Sequence, residues 1–173
     1  MPAIRCTLLV DDDPTTNYLN RKLLQRLAVT TQVREALNGQ EALDLLATSC
    51  TAPEDPACPA LIFLDVNMPV MDGFAFLEAY QQLPLARQRA IVIVMLTTSL
   101  HPTDVWRANL LPVAGFFTKP LTAEKVAQVL ADHFPGGTPV SNCIGSGMPQ
   151  PERADHPARS LHSRATPQRA ASS

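Results

Sequence analysis

Nowhere does this 173-residue chain hold an apolar run long enough to cross a membrane. The longest such run, Ala90–Leu96, falls far short of the ~20 residues that a spanning helix needs. No signal peptide is read at the start either, because Met1-Pro2-Ala3 leads straight into a strand-like segment. A cytoplasmic location, with no membrane partner, is the expectation. A strong excess of charge of one sign is also missing. A formal net charge of -2 does not suit a nucleic-acid binder. Cysteine is scarce, with four residues and no C-x-x-C pair. Cys50 and Cys58 share a Pro-rich loop and could approach each other, but free thiols in a reducing compartment are expected. No Cys/His cluster competes for a transition metal, and no Gly-rich phosphate loop is present.

Aromatic residues stop at Phe134. Residues 135–173 contain no Phe, Trp or Tyr, and Pro, Ser and Gly fill 16 of their 39 positions. Such a composition buries too little apolar surface to offset its ordering entropy, so a disordered tail is expected there. Nothing after Phe134 is periodic enough for a helix-turn-helix domain, so no direct DNA binding is expected. The folded part is then 1–134, long enough for one domain with a real core.

Within 1–134, apolar runs alternate with helical patterns. Ile4–Val10 reads as a strand, followed by Asp11-Asp12-Asp13. Asp13 suits an N-cap with Pro14 at the first helical position. Leu19, Leu23, Leu24 and Leu27 keep helical spacing through the next segment. Thr31–Ala36 reads as a strand. Asn38 with Glu41 resembles a capping box opening a second helix. Ser49–Pro59 is a Pro-rich loop. Ala60–Asp65 is a continuous apolar strand ending in an acid, and a helix over about 73–83 places Phe74, Leu77 and Tyr80 on one face. Ala90–Thr97 and Val113–Thr118 are the fourth and fifth strands, with a helix over Pro102–Leu110 between them. Thr122 caps a last helix whose inner face holds Val126, Val129, Leu130 and His133. Strands without polar alternation are buried on both faces, which implies a parallel sheet covered by helices on each side.

In such a sheet every strand ends at one edge, and ligands bind there. Asp11, Asp12 and Asp13 follow the first strand, and Asp65 ends the third, with Asn67 just beyond. Thr97, Thr98 and Ser99 close the fourth, and Lys119-Pro120 follows the fifth. Each has an innocent reading alone: a helix cap, a turn, strand propensity or a solvated charge. Their convergence on one edge is what points to chemistry. Two carboxylates about 4 Å apart repel by about 4 kcal/mol at an effective dielectric near 20, so a cation is needed. Magnesium suits a few carboxylates that leave room for water and phosphate oxygens. Lys119 supplies a point charge for a phosphoryl oxygen, and an Asp can attack phosphorus to give an acyl phosphate.

These blocks resemble the receiver domain of two-component response regulators. The text that carries the likeness is Leu8-Leu9-Val10-Asp11-Asp12-Asp13, then Phe63-Leu64-Asp65-Val66-Asn67-Met68-Pro69 with Met71-Asp72-Gly73, then Met95-Leu96-Thr97, then Gly115-Phe116-Phe117-Thr118-Lys119-Pro120. The likeness covers roughly 3–134 and is closest to stand-alone receivers. It implies an α/β, flavodoxin-like, doubly wound five-stranded parallel sheet of order 2-1-3-4-5 with five helices. It implies that Asp65 is the phosphoacceptor. Mg2+ would sit on Asp12, Asp65 and the backbone carbonyl of Asn67, with Asp11 acting indirectly. Lys119 would contact the phosphoryl group across a cis Lys119–Pro120 bond. Thr97 and Phe116 would be the switch pair, and Asn67 and Ser99 would tune dephosphorylation. The donor would be a sensor histidine kinase or a histidine phosphotransfer protein. The chain departs from the usual pattern at Phe116, where Tyr is common, at the bulky Thr98, and in the long Ser49–Pro59 loop, which is expected far from the site.

Other readings compete. A haloacid-dehalogenase-type phosphatase also uses Asp and magnesium, but it wants a second Asp where this chain has Asn67. A flavodoxin-like cofactor binder is disfavoured by the acidic first loop. A docking module without phosphorylation leaves the acid, Thr and Lys set unexplained. The expectation is therefore a switch, not an enzyme on a separate substrate, that catalyses only its own phosphoryl transfer and autodephosphorylation. It would signal to an unknown downstream protein through the last two helices and the strand between them, carrying Trp106 and Phe116. A phosphorelay intermediate or a phosphate sink is the alternative output.

Overall fold

The computed structural model describes residues 4–52, 55–84, 90–99 and 101–135. The elements run β1 (Ile4–Val10), α1 (Pro14–Arg26), β2 (Thr30–Ala36), α2 (Gly39–Ser49), β3 (Leu61–Asp65), α3 (Gly73–Gln82), β4 (Val92–Thr97), α4 (Pro102–Asn109), β5 (Gly115–Thr118) and α5 (Ala123–His133). The strands form one sheet in the order β2-β1-β3-β4-β5, and every neighbouring pair is parallel. This is the expected order, with five helices among the described residues. The expected tail lies outside them from residue 136 onward.

Local chemistry sets the helix starts. The Asp13 carboxylate accepts from the Thr15 and Thr16 amides, and Pro14 fills the first helical position of α1. Asn38 accepts from the Glu41 amide while Glu41 accepts from the Leu37 amide one residue ahead of the cap, so both side chains satisfy helix-start donors. Asp72 caps α3 through the Ala75 amide, and Thr122 caps α5 through the Lys125 amide.

The three central strands β1, β3 and β4 are buried on both faces, as their apolar runs require, while the edge strands β2 and β5 are only partly buried. One core cluster holds Leu8, Val10, Ile62, Leu64 and Met95 with Leu46 of α2 and Phe74, Leu77 and Tyr80 of α3. The other holds Leu9, Phe63, Val94 and Leu96 with Leu24 of α1 and Val126, Val129 and Leu130 of α5.

Three sequence expectations need correction. The inner face of α1 is Asn17, Asn20 and Leu24, while Leu19 is 60% exposed. Asn17 donates to the carbonyls of Asp11 and Ala36, which holds that side of the helix inward and leaves Leu19 outside, while Leu23, Leu24 and Leu27 still pack in the second core cluster. His133 is exposed and does not share the buried face of α5. Cys50 and Cys58 form a disulfide, with Cα atoms 4.7 Å apart. The C-terminal end of α2 and the turn ending at Cys58 bring them into bridging range, which an argument from compartment alone missed.

Candidate phosphoacceptor site

Strand register builds the site. Val10 lies opposite Leu64 and Asp65 opposite Leu96, so Asp11 and Asp65 emerge side by side. Thr97 lies opposite Thr118, which puts Lys119 beside Thr97. Three backbone bonds extend the ladders past the strand ends: Asp11 N–H to Ala36, Val66 N–H to Leu96, and Lys119 N–H to Thr97.

The side chains meet where the register predicts. Asp11, Asp12 and Asp65 each place a carboxylate oxygen within 4.8 Å of the others. Asp11 and Asp65 are buried and Asp12 is exposed. The Lys119 Nζ lies 2.6 Å from Asp11 Oδ2 and 3.0 Å from Asp65 Oδ2. Asp11 Oδ1 also accepts from the Asp13 amide at 3.0 Å. Asp11 is thus fixed by the lysine and by its own loop.

The titration behaviour follows from this crowding. Burial pushes the Asp65 carboxyl above the usual carboxylate range, and the Asp11 charge adds to the rise. Lys119 and the Asn67 amide pull in the other direction without cancelling it. Burial works to lower the Lys119 ammonium, but contact with Asp11 and Asp65 outweighs it and holds the group above its ordinary value.

The remaining predicted residues surround this cluster. Thr97 is buried, and its hydroxyl donates to the Ser99 carbonyl at 2.8 Å while accepting from the Ser99 amide at 3.2 Å. Thr98, Ser99 and Asn67 are exposed at the mouth. Phe116 is half-buried and packs against the first core cluster. Trp106 is 62% exposed on α4. The Lys119–Pro120 bond is cis, as expected. The Ser49–Pro59 loop leads into the opposite end of β3 from Asp65.

Three supporting residues were given no role by the sequence reading. Asn17 ties the first acidic loop to the end of β2. Lys125 donates to the carbonyls of Thr118 and Pro120 on either side of Lys119. Gly73 packs against the backbone of Asp65, where a side chain would collide with the Asp65 carbonyl. Only Gly73 left a sequence signal, as the last residue of the Met71-Asp72-Gly73 block.

The donor set fits a hard divalent cation, since it consists of carboxylate oxygens with one near neighbour in positive charge. Three carboxylates against one ammonium leave negative charge that a cation would balance.

The sequence model for the response regulator receiver domain matches residues 7–131. A probable chemotaxis protein CheY of Rhizobium etli is 32% identical over 127 residues, covering 73% of this chain and 90% of that protein. The sensor histidine kinase CheAY of Helicobacter pylori is 27% identical over 129 residues, covering 75% of this chain but only 15% of that much longer protein. A two-component response regulator structure from Cytophaga hutchinsonii superposes with a TM-score of 0.67 at 26% identity, covering 74% of this chain and 95% of that one.

Proposed function

The chain belongs to the response regulator receiver domain family, and on that premise we propose that it is a phosphorylation-dependent switch whose acceptor is Asp65. The single observation that carries this is the Lys119 ammonium set between Asp11 and Asp65 in a buried carboxylate cluster. An acid used only to cap a turn needs no such partner.

In the proposed reaction, an Asp65 Oδ attacks phosphorus of a phosphohistidine donor on a histidine kinase or phosphotransfer protein. The P–N bond breaks with its electron pair going to the imidazole nitrogen, and an acyl phosphate forms on Asp65. Mg2+ would be held by Asp12, Asp65 and the Asn67 carbonyl, with Asp11 orienting the site, and when bound it supplies charge neutralisation. Lys119 would turn from the carboxylates toward a phosphoryl oxygen. The Thr97 hydroxyl would leave the Ser99 backbone to donate to the same group, and Phe116 would follow inward. Asn67 and Ser99, exposed at the mouth, would govern access of the hydrolytic water. The chain is then a signalling protein that catalyses only its own phosphorylation and dephosphorylation.

The proposed output is protein contact through α4, β5 and α5, in the cytoplasm, with no DNA-binding step. No helix among the described residues is long and apolar enough to cross a membrane. The test is addition of beryllofluoride or acetyl phosphate with magnesium to the full chain. Trp106 fluorescence and amide shifts around Thr97 are expected to change. A folded protein that gives no response, or an Asp65→Asn variant that responds as wild type does, overturns the reading.

A further inference from the structure

The Cys50–Cys58 bridge lies apart from the phosphoacceptor site and has a chemistry of its own. Cys50 follows the last residue of α2, and its amide donates to the Leu46 carbonyl. Cys58 closes a turn in which its amide donates to the Asp55 carbonyl. The Asp55 carboxylate accepts from the Ala57 amide and from the Thr51 hydroxyl. The two cysteines are eight positions apart in sequence. The bridge therefore ties the C-terminal end of α2 to the segment that leads into β3.

The two cysteines are not equally exposed. Cys58 is 6% exposed, whereas Cys50 is only partly buried against the first core cluster. Cys6, in the middle of β1, is fully buried and unbridged, and burial pushes its thiol up. Thiol–disulfide exchange depends on which sulfur an attacking thiolate can reach. Access here favours Cys50, and Cys6 is shielded from exchange altogether.

We propose that Cys50 and Cys58 form a reversible dithiol–disulfide site that exchanges with low-molecular-weight thiols and disulfides through Cys50, with Cys58 as the resolving cysteine. In the oxidising direction the Cys50 thiolate attacks a small disulfide RSSR and expels RS⁻, leaving Cys50–S–S–R. The Cys58 thiolate then attacks the Cys50 sulfur and expels a second RS⁻. Two protein thiols are oxidised to one disulfide, RSSR is reduced to two RSH, and the two protons pass to the leaving thiolates. Reduction runs the same steps backwards.

The site acts on α2. At its other end, the Gly39 amide donates to the Met71 carbonyl at 3.0 Å in the β3–α3 loop. Oxidation closes a short loop at the C-terminal end of this helix and removes conformations from the unfolded chain. Asp65 stands at the far end of β3, so both redox forms keep the phosphoacceptor site. The proposal is thus independent of the function assigned to Asp65.

The test equilibrates the full chain in glutathione buffers of rising oxidised fraction and reads intact mass, with alkylation to trap intermediates. Cleavage after Glu54 cuts the chain between the cysteines, so the halves stay joined only when the bridge is present. Expected are loss of two hydrogens from the Cys50–Cys58 pair on oxidation, separate from any glutathione adduct on Cys143, full reversal by dithiothreitol, and a trapped glutathione adduct on Cys50. Reduction should lower Tm by about 5–10 °C, and a Cys50→Ser, Cys58→Ser variant should show no redox-dependent shift. A folded chain whose Cys50 and Cys58 remain thiols in oxidised glutathione overturns the proposal. So does an adduct trapped on Cys58 in place of Cys50, or a bridge whose reduction leaves Tm unchanged.

Discussion

Replacing Asp65 by Asn should make the metal-free protein more stable, although it removes the proposed acceptor. The expectation follows from charge spacing. Asp65 lies within 4.8 Å of both Asp11 and Asp12, and at an effective dielectric near 20 each pair of charges repels by about 3.5 kcal/mol. Lys119 at 3.0 Å from Asp65 attracts it by about 5.5 kcal/mol on the same basis. Two repulsions outweigh one attraction by about 1.5 kcal/mol. Solvent screens the share of exposed Asp12, but the desolvation of buried Asp65 falls on the same unfavourable side. The raised Asp65 pKa, caused first by burial, has the same sign.

The predicted gain for Asp65→Asn is about 1–2 kcal/mol, or about 4–8 °C in Tm for a domain of this size. Thermal melts followed by circular dichroism in a chelator measure it directly. Added magnesium should stabilise wild type and narrow or reverse the gap, because the cation removes the repulsion. A pH series gives a further check. A carboxylate whose folded pKa is raised holds its proton more tightly in the folded state. Its stabilising contribution is therefore present at low pH and lost as pH rises from the unfolded value through the folded one. The advantage of Asn should grow across that acid range and level off above it. A variant less stable than wild type in chelator, or a gap indifferent to magnesium, would refute the charge argument.

Other perturbations test the supporting parts. Gly73→Ala should cost about 1–3 kcal/mol by overpacking, because the new methyl would meet the Asp65 carbonyl, with Met95 Cε at 3.1 Å and Val66 Cα at 3.2 Å; phosphorylation by acetyl phosphate should fall with it. Lys119→Ala should keep magnesium binding but lose the Trp106 response, and loss of both together would show that its role is misassigned. Lys119 is held above its ordinary value of 10.5, so its ion pairs stabilise the fold below that pH, and the contribution is lost as pH climbs through the folded value. Alkaline melts of wild type and Lys119→Ala should converge only above that range. Arg107→Ala should lose about 0.5–1 kcal/mol, since the guanidinium lies 4.0 Å over the Phe74 ring, and hydrogen exchange in α4 should rise.

Much of this site was legible because strand ends announce themselves. An apolar run that stops at Asp65 or just before Asp11 states where the chain leaves the sheet, and parallel topology puts those exits on one edge. The caps at Asp13, Asn38 and Thr122 were legible for the same reason: each depends on residues within a few positions. What sequence did not disclose depends on contact between distant segments. Asn17 faces inward because Asp11, just past β1, and Ala36, at the end of β2, offer carbonyls to one amide. That requirement left Leu19 outside, although Leu23, Leu24 and Leu27 pack as their spacing indicates. The disulfide depends on how a helix end meets a turn, which cysteine counting cannot supply. Lys119 could be assigned to the edge, but its two-armed contact with Asp11 and Asp65 follows only from the strand order together with the β1–β3, β3–β4 and β4–β5 registers.

The arrangement places stability and reactivity in opposition at a single point. The strand ends beside the cluster are held by backbone bonds at Asp11, Val66 and Lys119 and by Asn17 and Lys125, which limits how far the buried carboxylates can move apart. One ammonium then faces three acids. A fold tuned for stability alone would replace Asp65 or add a second fixed cation. Leaving the charge unbalanced makes the site receptive to a mobile divalent ion. It also keeps Lys119 divided between two partners, neither of which holds it alone. Thr97 is placed in the same way, with its hydroxyl engaged by the Ser99 backbone of an exposed loop rather than by the core. A new negative group on Asp65 would therefore compete for two donors whose present partners are a crowded carboxylate pair and a surface loop, and those are the contacts that yield at least cost to the sheet beneath them.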